Sequence, residues 1–187
     1  MEYVVVEAKG GRLTATIDKS VNNVSNADVT VTVPANGRIR ALDASSAARI
    51  TSDVTLTADK FSIDASSAAR IDAAVKSTSC TVAASSASNI DAAIETGSCT
   101  VGASSASKIT LKGSADKCSI DMSSAAKLSA AEFTVADCSV DTSSAAKATV
   151  TCTDKLRAEA SSGSSIRYTG DCQTSISKSS GGSVSRK

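Results

Sequence analysis

From residue 41 onward, apolar and polar residues alternate in short runs, and the pattern restarts about every 19 positions. Each restart carries Ser-Ser-Ala or Ser-Ser-Gly, beginning at Ser45, Ser66, Ser85, Ser104, Ser123, Ser143, Ser161 and Ser179. The intervals are 21, 19, 19, 19, 20, 18 and 18 residues, a register that Ser-rich low complexity would not keep. Aligned on the first Ser, the position three before it holds Leu42, Ile63, Val82, Val101, Ile120, Val140 and Ala158. Five before it stand Phe61, Cys80, Cys99, Cys118, Cys138 and Leu156, and the residue immediately before is usually Ala. Five after it come Ile50, Ile71, Ile90, Ile109, Leu128, Ala148, Ile166 and Val184. Because strand side chains reach one face at every second residue, the positions at minus five, minus three and minus one share an interior.

Each unit therefore predicts a strand of about five residues, a Ser-Ser-Ala corner, a second strand and a looser return such as Ala58-Asp59-Lys60 or Ser114-Ala115-Asp116. Such a unit cannot bury its apolar face alone, so neighbouring units must stack. No unit has a helix-length apolar stripe. The expected fold is all-β, a single-stranded parallel β-helix whose coils of about 19 residues follow one another at ~4.8 Å, some 40 Å for eight coils. An antiparallel sandwich has no reason to keep one residue type at one position through eight copies. Residues 1–40 leave this register and are expected to form an N-terminal cap or irregular first coils, before the β-helix repeats of 41–187, in one domain overall. Within them Leu13 to Ile17 and Val29 to Val33 alternate as half-buried strands do, with Asn22-Asn23 and Pro34-Ala35-Asn36-Gly37 as turn signals.

Composition removes several functions. The 187 residues include 35 Ser and 32 Ala, which explains how a narrow coil could close with few large side chains. There is no His, so Ser-His and Cys-His nucleophile pairs and His-containing metal sites are excluded. A net charge of +1 and four aromatic residues, Tyr3, Phe61, Phe133 and Tyr168, argue against a nucleic-acid platform. No apolar run approaches the roughly 18 residues of a membrane helix. The first residues have neither a basic start nor the apolar core of an export signal. No cofactor or metal is expected.

Three polar columns repeat with the coils and carry the candidate chemistry. At minus two stand Asp43, Asp64, Asp121, Asp141 and Glu159, interrupted by Ala83 and Gly102. Stacked Asp43 with Asp64, or Asp121 with Asp141, would lie near the carboxylate separation of retaining glycosidases, which makes a polysaccharide-active enzyme the alternative function. The short units leave no insertion to build a sugar cleft, so a solvated charge column is the plainer reading. At plus four stand Arg49, Arg70, Asn89, Lys108, Lys127 and Lys147; the five cations are candidate glycan-binding residues, since their coil repeat resembles the spacing of sugars along a chain. At minus four, Ser62, Thr81, Thr100, Ser119 and Ser139 raise an ice-binding reading, opposed by the neighbouring Asp column. The four ladder cysteines read as small apolar core residues, because a linear ladder neither converges tetrahedrally on a metal nor suits disulfide geometry. Cys152 and Cys172 lie off that ladder and are the pair expected to oxidise most readily.

The recurring Ala-Ser-Ser-Ala-(Ala/Ser)-(Lys/Arg)-Ile theme, with the closing stretch Ala160-Ser161-Ser162-Gly163-Ser164-Ser165-Ile166-Arg167-Tyr168-Thr169-Gly170, resembles the head GIN domain family of autotransporter adhesins. The resemblance runs from about Arg12 onward. It implies a right-handed parallel β-helix and an address at the cell surface, outer membrane or periplasm of a Gram-negative bacterium, and it supplies no catalytic residue. Family members commonly have Gly where this chain has the second Ser of most corners. They also usually carry further strands before the segment matching Tyr3 to Ile17, so a truncated N-terminus is expected. The leading expectation is a non-enzymatic adhesin or envelope scaffold whose partners are host or envelope polysaccharide or a surface protein. Edge-to-edge association of exposed coils is a third possibility.

Overall fold

The structure, a computed structural model, describes residues 4–18, 29–34 and 39–187. The chain divides into two units, 1–34 and 35–187. In the first, β1 (Val4–Lys9) and β2 (Arg12–Ile17) form an antiparallel hairpin in which Val4 faces Ile17 and Lys9 faces Arg12. Gly10 and Gly11, at φ 59° and 77°, make its two-residue turn, a conformation glycine adopts without steric cost. Leu13 to Ile17 is a strand as expected, but it is exposed along both faces; Val29 to Val33 forms no strand. Asn22-Asn23 and the residues after Pro34 in the second turn signal lie outside the described residues.

The second unit is a β-solenoid of about eight turns, with no helix among the described residues. Its strands are β3 (Ala41–Ala44), β4 (Arg49–Ala65), β5 (Arg70–Ala84), β6 (Asn89–Ala103), β7 (Lys108–Met122), β8 (Lys127–Thr142), β9 (Lys147–Ala160), β10 (Ser165–Thr169), β11 (Gln173–Lys178) and β12 (Ser183–Arg186). Every pairing in this sheet is parallel, each coil lying on the next, and β11 and β10 both pair with β9. The ladders read from the sequence are the register itself: Ile71, Ile90 and Ile109 stack in succession, as do Val82, Val101 and Ile120. All six side chains are buried to 1% exposure or less except Ile120, at 2%.

Two features differ from expectation. The returns predicted as looser segments are strand: Ala58–Lys60 lies within β4 and Ser114–Asp116 within β7, and Ala115 is buried. Extra residues are absorbed as register shifts, between Thr51 and Thr55 and between Ala130 and Thr134, rather than as loops. A second interior wall also emerges, formed by the buried Leu56, Val75, Ile94 and Phe133 in register, with the exposed Gly113 interrupting it between Ile94 and Phe133. Phe133 is the largest fully buried side chain.

The Ser-Ser-Ala corners explain the sharpness of each coil. Ser46 and Ala47 have φ of 54° and 61°, and Ala48 N–H donates to Ser45 O at 3.0 Å, so the corner has two left-handed central residues, as a type I′ turn does. The same bond recurs in the later corners, down to Gly182 N–H on Ser179 O. Left-handed backbone costs an L-residue roughly 1–2 kcal/mol. Stacking offsets that cost, because every corner peptide is used. Arg70 N–H donates back to Ala48 O at 2.9 Å, whereas the flipped peptide of Ala47 sends its N–H forward to Ser67 O at 2.9 Å. Where Ser replaces the inward Ala after a corner, its hydroxyl is satisfied: Ser88 Oγ donates to Ala65 O at 2.8 Å and Ser107 Oγ to Ala84 O at 3.0 Å.

Candidate functional site

The thiol ladder is core. Phe61, Cys80, Cys99, Cys118, Cys138 and Leu156 pair in unbroken succession and all are buried. The Cys99 thiol beside it, and then burial, push Cys80 far above the ordinary thiol range, and burial pushes Cys138 up to about 12. Such thiols stay protonated and unreactive at neutral pH. Cys152 is less peripheral than its place in the sequence suggested: it is fully buried against Val135, and its Sγ donates toward Ala136 O and Lys155 O. Burial first, then the neighbouring Cys172, raise it to about 11. All six cysteines are free thiols in this structure, and only Cys172 is partly exposed.

The acidic column is also in register: Asp43 on Asp64, then Ala83, Gly102, Asp121, Asp141 and Glu159. Ala83 and Gly102 leave a shallow open groove of about 310 Å³ between Asp64 and Asp121, floored by Ser85 and Ser104. Partial burial, then Glu159, raise Asp141 above the ordinary carboxylate range, with Arg157 opposing. Asp121, Asp141 and Glu159 stack on adjacent parallel strands and, with Ser143, Ser161 and Ser179, line a second open groove of about 200 Å³. The hydroxyl column Ser62, Thr81, Thr100, Ser119 and Ser139 runs beside it and ends on Arg157.

On the other side of the corner, Arg49, Arg70, Asn89, Lys108, Lys127 and Lys147 stack one per coil. All five cations are exposed. Ion pairs lie off this column, at Lys76 with Glu95 (3.0 Å), Lys112 with Glu132 (3.1 Å), Arg157 with Glu159, and Arg186 with Asp171. The strand alternation that buries Ile71, Ile109, Leu128 and Ala148, and partly buries Ile50, turns both their neighbours outward, so each cation shares its face with the residue two further on. That second column reads Thr51, Asp72, Asp91, Thr110, Ser129, Thr149 and Arg167, a feature that alignment on the corners alone did not bring out.

An all-β solenoid of about eight turns with repeating charged columns defines a repeat protein whose stacked coils carry long, regular faces. The chain belongs to the family described as "Putative auto-transporter adhesin, head GIN domain", whose model matches residues 1–172. Among solved structures it is similar to a "putative adhesin" from Parabacteroides merdae, with 17% identity, a TM-score of 0.83, and coverage of 100% of this chain and 78% of that one. It is also similar to a "putative lipid binding protein" from Parabacteroides distasonis (19%, TM-score 0.82, 100% and 79% covered). A "putative adhesin" from the same organism matches at 20% identity, TM-score 0.82, with 100% and 79% covered. At these identities the likeness is one of fold. No curated protein matches. Among the described residues no helix is long and apolar enough to cross a membrane.

Proposed function

We propose that this chain is a non-enzymatic adhesin or envelope scaffold of the cell surface, outer membrane or periplasm, and that it recognises anionic polysaccharide along Arg49, Arg70, Lys108, Lys127 and Lys147. The observation supporting this reading is the column itself: five exposed cations stacked one per coil, while the ion pairs of Lys76 and Lys112 lie off it. Like charges on directly opposed strand positions destabilise a sheet, so a column of them is more economically explained by a ligand than by stability. Family membership supports the adhesin role, and neither the family nor its structural neighbours lend support to the enzyme alternative.

The test is retention of the protein on immobilised acidic and neutral polysaccharides across a salt series. Binding to acidic polymers that weakens with salt, and that falls with Lys108→Ala plus Lys127→Ala but not with Lys9→Ala, is the expected result. Absence of retention on every acidic polymer at low salt would leave the scaffold role alone.

A further inference from the structure

The two ends of the basic column are chemically unlike each other. At its N-terminal end, the parallel outward column places Asp72 beside Arg70, and Asp91 beside Asn89. Carboxylates two residues along the strand, about 6.8 Å away, offset the positive field there. From Lys108 onward the acids disappear. Lys108, Lys127 and Lys147 stand beside Thr110, Ser129 and Thr149, and the next coil adds Arg167 over Thr149. Lys112, the other cation in this region, is taken up by Glu132. The result is a strip of three coils with a row of ammonium groups, a parallel row of hydroxyls and a guanidinium at one end, all on strands whose backbone is fixed by the ladder. No aromatic or large apolar side chain stands in either column.

We infer that this strip, rather than the whole column, is the recognition site, and that its ligand is a linear polysaccharide bearing an anionic group on each successive sugar, lying along the solenoid axis. The inference rests on the polysaccharide reading above and narrows it. One cation per coil at ~4.8 Å matches a polymer charged at every residue better than one charged at every second residue. The hydroxyl row supplies donors and acceptors for sugar hydroxyls, which a simple counterion would not need. A single-stranded nucleic acid would call for stacking surfaces and a bilayer for apolar side chains, and the strip has neither; duplex DNA, bound through its phosphates, is discriminated by the experiment.

The experiment measures affinity for polygalacturonate, hyaluronate, dextran, duplex DNA and phosphatidylserine vesicles, with folding of each variant checked by thermal melting. For polygalacturonate, Lys108→Ala/Lys127→Ala/Lys147→Ala should lower affinity by about tenfold or more and flatten the salt dependence. Arg49→Ala/Arg70→Ala should cost less than about threefold, because their field is already offset. Thr110→Val/Ser129→Ala/Thr149→Val should cost several-fold while leaving the salt dependence as it was, which separates hydrogen bonding from charge. Hyaluronate, with one carboxylate per disaccharide, should bind more weakly than polygalacturonate. Equal losses from the arginine and lysine variants would overturn the narrowing while keeping the column. Indifference to the hydroxyl variants, or equal binding of hyaluronate, would overturn the ligand assignment, as would DNA or vesicles binding as tightly as polygalacturonate. Failure of the unmodified protein to bind any polyanion would instead remove the polysaccharide reading on which the inference stands.

Discussion

Replacing Ala106 by Gly should stabilise the solenoid, although it deletes a methyl group and adds backbone freedom. Ser105 and Ala106 hold φ of 52° and 59°, and both are exposed, so the alanine methyl contributes little burial to set against its strain. Left-handed backbone costs an L-residue roughly 1–2 kcal/mol and glycine almost nothing. Glycine's greater unfolded-state entropy takes back about 0.5–1 kcal/mol. The net gain is about 0.5–1 kcal/mol, or ~1–4 °C in Tm for a chain of this size. The chain contains the mirror experiment. Gly163 occupies the same corner position at φ 70°, and a Cβ there would meet nothing within 4 Å, so Gly163→Ala should lose a similar amount through backbone strain alone. Urea titrations of both variants against the parent, with unchanged slope, measure the two shifts. If Ala106→Gly destabilised by more than ~0.5 kcal/mol while Gly163→Ala was neutral, the strain would not reside in the corners and the argument would fail.

Three further outcomes follow from the same packing. Gly182→Ala puts a Cβ 2.0 Å from Ala160 O and 2.3 Å from its carbonyl carbon, both backbone, so the last coil should detach; hydrogen exchange would show lost protection at Ser183–Arg186 with the central coils unaffected. Ile109→Asp places a charge in a fully buried ladder and should cost at least ~4 kcal/mol, and wild-type thermal stability in that variant would put the ladder outside. The folded thiol pKa values are raised, so the stability that they contribute is complete below the unfolded value of 9.0 and is lost as pH climbs toward the folded values near 11 for Cys152 and 12 for Cys138. Denaturation midpoints should therefore fall above about pH 9 and fall less steeply in Cys138→Val, and equal slopes in the two proteins would contradict the burial account.

The sequence by itself determined the coil and its contents. Because parallel stacking places one residue of each coil directly above its counterpart, a position repeated every 19 residues becomes a column, and the Ile71 ladder, the thiol ladder and the lysine column could be read as lists. Strand alternation then assigned each list to inside or outside. What the tertiary structure alone decided depends on neighbours that the repeat does not encode. Ser-Ala carries no local signal for two left-handed residues; that geometry holds because Ala47 and its equivalents find acceptors on the next coil. The wall of Leu56, Val75, Ile94 and Phe133 stands ten residues before each following corner, but Gly113 interrupts it, so residue type did not mark the position as interior; Cys152 comes to lie over Val135 only through the register shifts of the last long strands. Likewise, the acids beside Arg70 and the hydroxyls beside Lys127 become two different surfaces only when the coils are laid side by side, since charge acts across strands over distances that the sequence does not display.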